Sequence, residues 1–243
     1  MNTRTQVVFA WVAAACVLVD VCAFLIAGYI PPPAANLTAV QLAAFYADHA
    51  TRLRIGIVVL YLGWSGWGLL VAGIATQLRR IDHHRPALTY LQIISGTMSW
   101  VFLLPPTSAL GAASFRPERA PEITQALHDL AWITAFMAIV PFCIQNLAIA
   151  AAVLKDRRPE PVFPRWFGYF NIWVCILFTP AVPLICFKTG PLSYSGLFVF
   201  WVPMVVFASE MLVMAWAIRD AALRDARVNA AELETRSTPV TIG

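Results

Sequence analysis

The sequence predicts an all-α polytopic membrane protein, a six-transmembrane-helix bundle with both termini cytoplasmic. Three observations predict it. Of 243 residues, 60% are hydrophobic and only 12% are charged, whereas a soluble domain carries about 25% charged residues. Six stretches reach the roughly 20 mostly apolar residues that a spanning helix needs. The basic residues fall unequally on the segments that join those stretches. The same composition excludes a soluble globular domain, a disordered chain and a nucleic-acid partner, and it makes the lipid bilayer the first partner.

The spans are expected at about 6–30, 53–78, 87–114, 125–154, 166–187 and 195–218. The first is too long in its apolar core for a signal peptide, and Pro31, Pro32 and Pro33 end it, because consecutive prolines cannot continue the hydrogen-bond ladder. In the long loop that follows, Thr38-Ala39-Val40-Gln41 reads as a capping box opening a short helix through about Ala47. Its apolar side (Leu42, Phe45, Tyr46) is expected to lie on the outer surface or to cap the bundle. Gly68, Ala72 and Thr76 on the second span, and Ser95 and Ser99 on the third, are spaced for close helix contact.

The later spans are dense in proline: Pro105 and Pro106, Pro141, Pro180 and Pro183, and Pro203. Each removes a backbone donor, and at membrane depth such breaks are tolerated only where protein or a cavity receives the freed carbonyls. Most fall in the outer half, so an irregular outer half over a more regular inner half is expected. The sixth helix is expected to run on to about residue 234. Residues 1–236 read as one domain and 237–243 as a disordered tail.

Orientation follows from Lys and Arg. Twelve of the 17 lie on the side of the termini, among them Arg79, Arg80, Arg157, Arg158 and Arg165. The other five are Arg52, Arg54, Arg116, Arg119 and Lys188. The positive-inside rule then places both ends in the cytoplasm of a plasma-membrane protein.

Ionisable groups inside a bilayer are costly and are functional candidates by default. Asp20 lies ten residues before Ile30, roughly 15 Å below the outer end. Glu210 lies fifteen residues after Ser195, roughly 22 Å below it, with Ser99 near that level and Gln145 and Asn146 about one turn deeper. These five are the candidate binding groups; the bland alternative makes the acids protonated or hydrogen-bonded struts between helices. Lys188, His128 and Asp129 are candidates for an outer mouth. The four histidines (His49, His83, His84, His128) include none near the midplane, so no haem, metal or other cofactor is expected. The five cysteines all fall in apolar stretches without a C-x-x-C and read as buried thiols. No H-E-x-x-H, G-x-S-x-G or Walker lysine loop occurs, which leans away from an enzyme and assigns no catalytic residue.

Pro161-Val162-Phe163-Pro164-Arg165-Trp166-Phe167-Gly168-Tyr169 and Phe187-Lys188-Thr189-Gly190-Pro191 carry a resemblance, together with Tyr29-Ile30-Pro31-Pro32-Pro33 and Ala112-Ala113-Ser114-Phe115-Arg116-Pro117-Glu118-Arg119. With these motifs the chain resembles a family of small actinobacterial integral membrane proteins with no assigned activity. The resemblance implies six helices and an actinobacterial plasma membrane, and it transfers no site residue. Three functions remain open: binding or transport of a small molecule or ion within the bundle; an accessory or structural subunit with a membrane-protein partner or as a homo-oligomer; and a membrane enzyme acting on a lipid or other apolar substrate. A cavity reaching Asp20 or Glu210 would favour the first.

Overall fold

The computed structural model describes residues 2–82 and 86–237. His83 and His84, and positions 238–243 of the expected tail, lie outside the described residues. Six helical units in it are long and apolar enough to cross a membrane: Thr3–Ala27, Ala50–Ile81, Ala87–Phe115, Pro121–Lys155, Arg165–Cys186 and Leu197–Ala231. The chain is an all-helical, multi-pass bundle.

The first span is one unbroken helix, α1 (Thr3–Ala27). The Asn2 side chain accepts the Thr5 N–H at 2.8 Å, which satisfies one of the orphan donors of the first turn. At the other end Gly28 takes φ +72°, and the N–H groups of Gly28 and Tyr29 return to Leu25 and Phe24. Only glycine enters that left-handed region without strain. The short helix α2 (Ala39–Asp48) has the expected capping box and buries Leu42 and Tyr46. It packs on the fourth span and caps the bundle.

The other five spans are all interrupted. The second is α3 (Ala50–Gly63) and α4 (Ser65–Ile81), joined at Trp64. The third is α5 (Ala87–Val101) and α6 (Leu104–Phe115), with Pro105 and Pro106 in the first turn of α6. The fourth is α7 (Pro121–Met137) and α8 (Ile139–Lys155), joined at Ala138 three residues before Pro141. The fifth is α9 (Arg165–Phe178), continued as a 3₁₀ segment, Thr179–Cys186, around Pro180 and Pro183. The sixth opens as a π-helical turn, Leu197–Trp201, and becomes α10 (Val202–Ser237) at Pro203. Four of the five breaks carry a proline, for the reason given above. The break at Trp64 carries none; there the Ser65 hydroxyl donates to the Leu62 carbonyl at 2.6 Å.

Consecutive spans pack side by side, and α10 returns to α1, so the six close into a ring. In the half that bears the termini, α4 reaches across the ring to α8 and α10. Its inward stripe of Trp67, Leu70, Ile74 and Leu78 is fully buried, at the three- and four-residue spacing of one helix face. Salt bridges tie that end together: Arg80 to Asp225 at 2.7 Å and Arg224 to Asp220 at 2.8 Å. The Arg224 guanidinium also donates to the Pro161 and Val162 carbonyls.

At the opposite end, Arg54 donates to the Ser114 and Phe115 carbonyls, 3.0 Å each, and Arg119 donates to Ala112. A helix leaves its last carbonyls without internal donors, and these two side chains supply them for α6. Much of the remaining surface is apolar: Leu18, Trp11, Val58, Leu62 and Ile94 are each more than half exposed, as lipid contact requires.

Candidate functional site

Where the helices break, the ring does not fill. A cavity of about 440 Å³ lies there, lined from all six spans. Each of the five interruptions contributes a wall residue: Trp64, Leu103, Ala138, Phe178 and Phe200. Broken backbone at membrane depth therefore coincides with a cavity, one of the two settings in which a bilayer tolerates it. Trp67, Phe142 and Met211 bound it toward the terminus-bearing half. Three wall residues, Val21, Val205 and Leu212, are 42%, 60% and 47% exposed. They lie on α1 and α10, so the cavity opens sideways between these helices onto the apolar flank of the bundle.

Asp20 is the one ionisable side chain on the wall among the described residues. It is 8% exposed, and neither carboxylate oxygen has a hydrogen-bond partner. Its carboxylate presses against Gly63, where an added Cβ would fall within 2.6 Å of the Asp20 Cγ. Glycine at 63 is therefore what lets the acid fit between α1 and the second span. Ser99 lines the same cavity and donates to the Ser95 carbonyl at 2.8 Å.

The other candidates form a separate group. Glu210 is fully buried and off the cavity wall. Asn146 lies beside it and donates to the Phe142 carbonyl at 3.0 Å. Gln145, also fully buried, faces Gly96 on α5. The Asn146 Oδ1 and both polar atoms of Gln145 have no hydrogen-bond partner, and the Asn146 side chain is the one polar group recorded beside the Glu210 carboxyl among the described residues. Asp20 and Glu210 thus do not converge on one site. Asn171 on α9 is a further buried amide: it donates to Phe167 at 2.7 Å and keeps an unpartnered, buried Oδ1. Sequence reasoning passed over it; its position as an amide inside an apolar span was the available signal.

The outer candidates part company too. His128 is fully buried under α2, with its Nδ1 2.8 Å from the Tyr46 hydroxyl, which lies 3.2 Å from that of Tyr29. Burial pushes both tyrosine hydroxyls above their ordinary range, which keeps the two hydroxyls neutral. Asp129 is half-buried and accepts from the Tyr194 hydroxyl at 3.3 Å. Lys188 is exposed nearby, close enough for its charge to act on Asp129. Around them Tyr29, Trp132, Tyr194 and Phe200 pack ring to ring at 5.6–6.1 Å, sealing the cavity from that end. No group of three or more His, Cys, Asp or Glu able to hold a metal occurs among the described residues.

No protein-family profile matches the chain, and no curated protein and no solved structure matches it either.

Proposed function

We propose that this chain is a plasma-membrane protein, with both termini in the cytoplasm, that binds or transports a small, largely apolar molecule inside its helix bundle. One observation carries the reading: five separate helix interruptions all face a single apolar cavity that opens to the side. Helix breaks cost backbone hydrogen bonds, and five breaks gathered around one space between helices, where ligand sites of bundles lie, support a site kept for a ligand. The lateral opening suits a molecule arriving from the hydrocarbon phase. A lone acid on the wall suits binding better than acid–base catalysis, which needs at least two converging groups. The bias of basic residues supports the orientation, and the motif resemblance supports an actinobacterial source.

Extraction from native membranes followed by mass spectrometry of bound small molecules tests the binding reading. An apolar compound should come with the wild-type protein and be lost from Ala135→Trp, which fills the cavity from α7. Equal recovery from both, or none from the wild type, defeats it. Reporters fused at residues 35 and 120 should appear on the face opposite the C-terminus.

A further inference from the structure

The wall around Asp20 is electrostatically one-sided. Its donors are almost all committed to the protein's own acceptors. The Trp64 indole N–H donates to the Thr107 hydroxyl at 3.0 Å, and that hydroxyl donates to the Leu103 carbonyl at 2.7 Å. The Trp67 indole donates to the Gly96 carbonyl at 3.1 Å. The Ser99 and Ser209 hydroxyls each donate to the carbonyl four residues back, at 2.8 and 2.7 Å. The uncommitted donor, the Trp132 indole, belongs to the outer aromatic seal. No Lys, Arg or His lines the cavity among the described residues.

What remains is a carboxylate with two unpartnered oxygens and a set of aromatic rings. Trp67 stacks on Phe207 and on Phe142, with centroids 5.0 and 5.7 Å apart, and Trp64 meets Phe207 edge-on at 6.1 Å. Stacked on one another, these rings form a polarisable apolar wall that suits the body of a ligand, and recognition of charge falls to Asp20. A buried acid without a protein partner is costly to ionise, and the protein provides no donor or counter-charge here, so a cationic ligand group is what makes the charged form favourable.

We infer that the occupant of this cavity is a lipophilic monocation: an apolar body of small-molecule size carrying one protonated amine, which pairs with Asp20 while the body fills the aromatic space. The inference rests on the cavity being a ligand site. An anionic or purely hydrocarbon ligand leaves Asp20 unpaired, and a strongly hydrated ion loses its water to a wall with one ligating group.

The test uses one body with three head groups: 4-butylbenzylamine, 4-butylbenzyl alcohol and 4-butylbenzoate. Binding to full-length protein in zwitterionic nanodiscs at pH 7 is read by tryptophan fluorescence, with empty nanodiscs correcting for partition into lipid. The amine should bind at least tenfold tighter than the alcohol, and the benzoate weakest. Asp20→Asn should remove the preference for the amine and leave affinity for the alcohol within twofold. Gly63→Ala, whose new Cβ displaces the carboxylate, should shrink the preference.

An alcohol that binds as tightly as the amine, or a preference that survives Asp20→Asn, overturns the monocation while leaving the cavity as a site. Absence of saturable binding by all three compounds overturns both. Should Asp20→Asn fail to fold, the wild-type ranking and Gly63→Ala still decide.

Discussion

Replacing Asp20 with leucine separates a ligand-binding acid from a structural strut. The two side chains share a branched skeleton: Cγ bears two oxygens in one and two methyl groups in the other. Leucine's methyls are larger than the oxygens they replace, so the side chain leans away from Gly63 into the open cavity, which absorbs the added volume. In the folded protein the Asp20 oxygens are buried and meet no donor. An unsatisfied buried polar group costs about 1–3 kcal/mol, and Asp20→Leu removes that cost. The substitution should stabilise the protein by about that amount. For a chain of this size each kcal/mol moves the thermal midpoint by about 2–4 °C. Thermal unfolding of purified protein in one fixed detergent reads the shift, and the same variant should lose the preference for an amine ligand. Stability gained together with function lost marks a group held for binding. A drop in midpoint for this variant and for the smaller Asp20→Ala alike, with intact insertion and oligomeric state, would refute this reasoning, because it would mean that Asp20 has a stabilising partner.

Arg54→Ala should lower stability by about 1–2 kcal/mol, since it leaves the Ser114 and Phe115 carbonyls without donors. Arg54→Lys should restore only part of this, because an ammonium cannot reproduce the two-nitrogen fork; the midpoints of the three proteins check it. Tyr46→Phe strands both the Tyr29 hydroxyl and the His128 Nδ1 and should cost about 1–3 kcal/mol. Combined with His128→Leu it should cost less than the sum of the single changes, as expected for one network. For Asp156, burial raises the carboxyl, but the Arg158 guanidinium and the Val162 and Arg158 N–H groups outweigh it and hold it below the usual carboxylate range. Its contribution is therefore complete above the unfolded value near pH 4 and is lost as pH falls through the lower folded value. Acid unfolding of Asp156→Asn should accordingly show a weaker dependence on pH below about 4 than the wild type; identical profiles would remove Asp156 from the acid response.

Particular residues show what was legible from the chain alone. The capping box at Thr38 and Gln41 is a local pattern, and its helix follows from it. The prolines at 105, 141, 180, 183 and 203 mark four of the five breaks, because a missing N–H acts wherever the residue sits. The break at Trp64 left no comparable signal: glycine and serine beside it are compatible with a continuous helix. Gly63 is likewise unreadable as a partner of Asp20 until the rotation of both helices about their axes is known. Depth alone also grouped Ser99 with Glu210, whereas packing puts Ser99 on the cavity wall and Glu210 behind it.

Composition determined that lipid is the solvent, and apolar length determined six crossings, because the cost of burying backbone and charge in hydrocarbon depends only on what the segment contains. Which face of each helix turns inward was decided by the tertiary structure. A span that is apolar on every side has no internal reason to prefer one face, so its rotation comes from fitting small residues such as Gly63 against large neighbours. That fitting set Asp20 in an open aromatic space and sealed Glu210 away from it.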